Sequence, residues 1–303
     1  MSIITLQSMQ NLLRPGLAAV FGDYNTYPDQ WKDIFTQHVS DKAFELEEEM
    51  RLLPVAQYKP DGGAVAYGDM AQIYQTSYTH KNFGIGFIIS ANSIRDNLYK
   101  DQWPKASEAG KDSMRQAKNI QGASIINNGY SANFPVSDGQ ALFSTAHPVV
   151  GNISSNSFSL PTQLNETSLQ DAYVGIQQFL SAAALRISYR PTKLIVPPQL
   201  QFTCERLLES KFRTSTADND INALYNMSGV PGGYSVNLFL TNPNQWTLLT
   251  TCNEQNGFKY YERDPLTIDM FTDTTTRNLN VNFVERYSFG CSNWRAAFGS
   301  QGA

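Results

Sequence analysis

Apolar positions along this chain change period several times, and each change predicts a different element. Thr5–Leu13 reads as a short helix in an irregular leading segment, stopped by Pro15 and Gly16. Pro28 opens a second short helix, where Trp31, Ile34 and Phe35 recur at helical spacing. Glu45–Arg51, with four Glu in seven residues, reads as a solvated charged segment. Two β-prone stretches follow, Leu52–Tyr58 and Gln72–Ser90. They flank Pro60-Asp61-Gly62-Gly63, a turn signal because proline pre-sets one corner and glycine tolerates positive φ. An isolated two-stranded hairpin is marginal in water. This one must lie on its own body or on a neighbour.

A helical region follows Asn92 and Ser93. From Lys105 to about Asn127 the chain lacks proline and favours a helix on the order of 30 Å long. Ala106, Gly110, Met114, Ala117, Ile120 and Ser124 form a stripe of mostly small residues on it. Residues 128–165 read as a long polar loop. Thr167 is placed to cap an amphipathic helix that buries Leu169, Ala172, Tyr173, Ile176, Phe179, Leu180 and Ala183. Thr192–Val196 reads as a buried strand ended by Pro197-Pro198, and Leu200–Ser210 as a helix. Residues 214–233 are loop-like and end in Gly229-Val230-Pro231-Gly232-Gly233. The remainder is strand-rich, at Ser235–Leu240, Thr247–Cys252, Lys259–Glu262, Leu266–Phe271 and Leu279–Phe289. Long helices followed by a strand-rich half indicate an α+β fold.

Charged residues make up 17% of the 303, below the roughly 25% of an average soluble domain. A low-charge surface suits a subunit that buries much of its exterior against neighbours. The net charge is −4 with no Lys/Arg cluster, so phosphate-driven wrapping of nucleic acid is not expected. Cys204, Cys252 and Cys291 lack CxxC spacing, which argues against a zinc knuckle or dithiol site. The first residues lack the charge and apolar run of a signal peptide, and no apolar run is long enough to span a membrane.

Chemistry-bearing residues are scattered. Asp138, Ser144 and His147 have the residue types of a hydrolase triad, but no GxSxG elbow presents the serine. Local hydrogen bonds that order a loop are the expected role of Ser144 and His147. His38 and His80 have no partner at metal-ligand spacing. Asp218/Asp220 and Glu47–Glu49 read as solvated faces, and Gly84-Ile85-Gly86 lacks the third glycine of a dinucleotide loop. No catalytic, cofactor or metal site is expected.

Three segments, in order, resemble the major head subunits of Mu-like phages and prophages, which have the HK97 capsid fold. They are Asp138-Gly139-Gln140-Ala141-Leu142-Phe143-Ser144-Thr145-Ala146-His147-Pro148, then Arg190-Pro191-Thr192-Lys193-Leu194-Ile195-Val196-Pro197-Pro198, then Arg286-Tyr287-Ser288-Phe289-Gly290 with Asn293-Trp294-Arg295. The resemblance implies an N-terminal arm at 1–44, an extended E-loop hairpin within 45–90, and a peripheral domain at 91–189 with a spine helix at about 105–127. An axial domain at 190–270 and peripheral closing strands at 271–303 complete it. It implies self-assembly through pentamers and hexamers into an icosahedral shell that encloses phage DNA without reading its sequence. The expected location is the virion, after assembly in the host bacterial cytoplasm. Inter-subunit contacts are expected at Ile3, Ile4 and Leu6 in the arm and at Tyr58, Asp61, Gly62, Gly63 and Tyr67 in the hairpin. Gly229, Pro231, Gly232 and Gly233 are expected in an axial loop. Residues 1–44 are short beside the scaffolding extension of some members, so either the scaffold is a separate protein or the chain is already processed; Met1 favours a separate scaffolding protein, with a portal and a decoration protein as further expected partners. An encapsulin-like compartment is the alternative, and a Ser/His hydrolase a more distant one.

Overall fold

The computed structural model describes residues 28–96, 103–212 and 220–303. Ile3, Ile4, Leu6 and the expected helix Thr5–Leu13 lie outside them. After a 3-10 turn at Gln30–Asp33 come β1 (Thr36–Val39), β2 (Phe44–Arg51), β3 (Ala71–Thr79), β4 (Lys81–Ile89), α1 (Ala91–Arg95) and α2 (Trp103–Asn127). Next are β5 (His147–Val149), β6 (Asn152–Ser154), α3 (Glu166–Gln177), β7 (Pro191–Val196), α4 (Gln201–Leu208), α5 (Ala223–Asn226) and β8 (Tyr234–Val236). The chain closes with β9 (Trp246–Thr250), α6 (Thr251–Asn256), β10 (Phe258–Thr272), β11 (Leu279–Cys291) and β12 (Ala297–Ser300).

Two four-stranded sheets organise the body, in the orders β1-β10-β11-β4 and β12-β9-β7-β8. Helix α2 packs on the first sheet. Glycine makes this approach possible: a Cβ at Gly110 would sit 2.7 Å from the Phe283 ring. The buried face of α2 departs from the expected stripe. Gly110 and Met114 are inside, but Ile120 is half exposed while Lys118 and Asn119 are buried. Polar partners explain the shift. Lys118 Nζ meets Glu285 at 2.9 Å, and Asn119 Oδ1 accepts from the Trp31 backbone. A hydrophobic period cannot register such positions.

Trp31, Phe35, Phe258, Tyr260 and Phe289 interlock beneath α2, with Trp31 and Tyr260 ring centroids 4.3 Å apart. Residues 28–39, expected within an arm, are therefore part of the body. Trp31, Ile34 and Phe35 are core side chains, and β1 pairs in parallel with β10.

Other boundaries also move. Gln72–Ser90 is two strands, separated at His80, and β4 joins the first sheet. Lys259–Glu262 and Leu266–Phe271 are one long strand, whose pairing with β11 slips on both sides of Asp264. Pro265 lacks a donor, and the irregularity absorbs it. Because β10 lies in the first sheet, 258–270 does not group with β7–β9. Strand β12 sits in the second sheet, away from β11. Asn165, rather than Thr167, caps α3, in a reciprocal box with Ser168. Leu194, Ile195 and Val196 are fully buried, as their continuous apolar run predicts. The three cysteines are free and buried, and burial pushes the Cys204 thiol up to about 12. No described helix is long and apolar enough to cross a membrane.

Candidate assembly interface

Strands β2 and β3 form a two-stranded ribbon that shares no ladder with either large sheet. Its first strand, FELEEEMR, alternates in an inverted sense. Phe44, Leu46 and Met50 face outward, 50%, 47% and 51% exposed. Glu45, Glu47 and Glu49 face inward and are partly buried. The reading of Glu45–Arg51 as a solvated segment is thus overturned for the odd-numbered residues. Each of these carboxylates has built partners. Glu45 accepts from Ser40 Oγ at 2.8 Å and Lys42 Nζ at 3.0 Å. Glu47 accepts from Lys259 Nζ at 2.6 Å and from the hydroxyls of Tyr261 and Ser292. Glu49 accepts from Arg295 Nη1 at 2.8 Å.

Burial works to raise the Glu47 pKa, but the hydrogen bonds from Lys259, Ser292 and Tyr261 and the Lys259 charge outweigh it. The carboxyl is held below the usual glutamate range. Arg295 is itself buried, stacked on Trp294 and donating to the Leu180 carbonyl at 2.7 Å. Tyr78 inserts at the root of the ribbon, where its hydroxyl meets Ser292 and its ring fills the space a Cβ of Gly290 would need. His80 holds the junction between β3 and β4, bonded to Ser288 at 3.0 Å and Ser40 at 3.3 Å.

Beyond Arg51 and Ala71 the ladder stops, and residues 52–70 run as two irregular arms. Leu52–Tyr58 is therefore not a strand; Pro54 removes a donor there. The Pro60–Gly63 turn is present: Gly63 N–H donates to the Pro60 carbonyl at 3.0 Å, and Gly62 has φ +74°. Tyr58 and Tyr67 are 91% and 96% exposed, and Leu52, Leu53, Val55, Val65 and Met70 are more than half exposed. An apolar set this large on one projection is the kind of surface that interactions commonly cover.

Gly229–Gly233 lies apart from the hairpin. Gly232 N–H donates to the Thr192 carbonyl at 2.7 Å, an approach closed to any residue with a Cβ, and Gly233 turns at φ +61°. The segment thereby seats β8 beside β7.

Asp138, Ser144 and His147 come close without forming a triad. His147 is fully buried, stacked on Trp294, with Nδ1 2.6 Å from Asp138 and Nε2 3.0 Å from Asn156 Oδ1. Both ring nitrogens are engaged away from Ser144, whose Oγ accepts from the Ala146 backbone. Asn156, which the sequence reading missed, also donates to the carbonyls of Leu142, Trp294 and Ala297. The cluster pins the 128–157 loop to the C-terminal segment, the loop-ordering role expected. Among the described residues, no group of His, Cys, Asp or Glu could hold a metal ion.

A family model described as phage capsid protein matches residues 73–299. The chain belongs to this family. Solved shells share the fold of the capsid subunit. The capsid of bacteriophage JBD30 decorated with minor capsid protein trimers is 15% identical, with a TM-score of 0.57 over 71% of this chain and 92% of that one. Mycobacterium phage Adephagia is 10% identical, TM-score 0.55, over 88% and 84%. A virus-like particle from Pyrococcus furiosus is 11% identical, TM-score 0.51, over 93% and 96%. No curated protein matches. The architecture is the α+β HK97-type capsid fold, and the subunit is a structural shell component of the virion rather than an enzyme.

Proposed function

We propose that this capsid subunit builds an icosahedral shell of pentamers and hexamers in which the β2–β3 hairpin lies on a second copy. The observation that carries the reading is the exposed apolar set on residues 44–70, with Tyr58 and Tyr67 almost fully exposed. Asp61, Gly62 and Gly63 shape the tip that meets the neighbour, and Ile3, Ile4 and Leu6, outside the described residues, are further contact candidates. In a closed shell each patch is reused by symmetry, and many modest contacts sum to a stable particle. Residues 190–257, with the Gly229, Pro231, Gly232 and Gly233 turn, face the capsomer axis.

The subunit falls in the Mu-like branch; the Asp138–Pro148 segment supports this. It assembles in the host cytoplasm with a separate scaffolding protein, a portal and a decoration protein, and encloses DNA without sequence-specific contacts. The net charge of −4 is consistent with a container rather than a condensing agent. The family match over residues 73–299 favours a phage shell over an encapsulin-like compartment. Deleting residues 58–70 tests the reading. The expected product is a folded body that forms no shells in electron micrographs; normal particles would overturn it.

A further inference from the structure

The hairpin is an inter-subunit extension on the reading above, and an extension must leave the body at a defined angle. Apolar contact sets angles poorly, because it is non-directional, whereas hydrogen bonds demand alignment. The ribbon meets the body along one seam. Tyr78, wedged at Gly290, is its pivot. Further out, Glu47 and Glu49 reach Lys259, Tyr261, Ser292 and Arg295. On its other side the ribbon borders an open cleft of about 710 Å³, walled by Gln75 and Ser77 of β3, Gln121 and Ser124 of α2, and Phe134. Among the described residues, no hydrogen bond crosses that cleft to the ribbon. Successive inward positions on a strand lie about 7 Å apart, so the two carboxylates are separate anchor points beyond the pivot. The tip at Asp61 lies ten residues past Arg51, and a small turn at the seam moves it far.

We propose that Glu47 and Glu49 are positioning residues for shell assembly: their bonds across the seam fix the angle of the hairpin and so where its tip lands on a second copy.

The test uses the full chain. Spin labels at Asp61→Cys and Gln116→Cys report the tip-to-body distance in the unassembled subunit by electron double resonance; the native cysteines are buried. Unlabelled Glu47→Gln/Glu49→Gln protein reports shell yield. The expected result is a broadened distance distribution and a shell yield lowered about tenfold, the weight of one charge-assisted hydrogen bond in an orientation equilibrium. The body should remain folded, its unfolding midpoint at neutral pH falling only by the seam contribution of Glu47. An unchanged distribution overturns the proposal. Should the double carboxamide fail to fold, Tyr261→Phe/Ser292→Ala removes two donors to Glu47 without altering charge. It must broaden the distribution in turn, and a width equal to the parent's overturns the proposal equally. The 58–70 deletion separates the two levels. Normal shells from it sink the hairpin reading, whereas lost shells together with an unbroadened distribution sink only the role of Glu47 and Glu49.

Discussion

Strands β11 and β2 both alternate, in opposite senses. In β11, Leu279, Val281 and Phe283 point into the core beneath α2, while Asn280 and Asn282 lie partly outside. In β2, Phe44, Leu46 and Met50 face out and Glu45, Glu47 and Glu49 face in. The first arrangement satisfies its apolar side chains within one chain. The second satisfies its charges within the chain and leaves its apolar side chains for another surface. On the proposed assembly reading, the body supplies self-sufficiency and the hairpin supplies adhesion.

The contrast is broken most strongly at the body. Phe283→Ala should cost about 3–5 kcal/mol, since it empties space that Gly110 was shaped to fit. Chemical denaturation measures it, and a loss as small as that of a surface substitution would mean the sheet-helix core is not self-sufficient. His147→Ala comes next, at about 3 kcal/mol, because it leaves Asp138 and Asn156 buried without their shared partner. Denaturation measures that loss, and limited proteolysis should show the 128–157 loop becoming protease-sensitive.

The seam should respond to acid. Glu47 is held below its ordinary value of 4.5, so its contribution is complete above that value and is lost as pH falls through the lower folded one. The stability difference between parent and Glu47→Gln should therefore be present at neutral pH and shrink below 4.5. A difference constant down to strong acid would contradict the geometry. The smallest effect belongs to the tip. Tyr58→Ser and Tyr67→Ser should change subunit stability by no more than about 0.5 kcal/mol, both being nearly bare, yet shell yield should drop.

Much of the fold was legible where period and partner agree. The apolar run Leu194–Val196, the Pro60–Gly63 turn and the amphipathic α3 as far as Gln177 carry local signals that the structure follows, whereas Phe179, Leu180 and Ala183 fall past the end of the helix. The orientation of β2 was not legible. Its alternation is visible in Phe44, Leu46 and Met50, but period two defines two faces without saying which is inside. That choice rests on Lys259, Ser292 and Arg295, more than two hundred residues away in sequence. Asn156 escaped for the same reason, since nothing near it announces the carbonyls of Trp294 and Ala297 that it binds. The buried Lys118 on α2 was hidden because an ion pair with Glu285 lets a charge occupy a core position.

Hydrogen exchange across residues 44–70, compared between unassembled subunit and closed shell, tests the division of labour most directly. The account predicts fast exchange of the 52–70 amides in the free subunit and strong protection in the shell, with the amides of β10 and β11 protected in both. Equal exchange of residues 52–70 in the two states would contradict it.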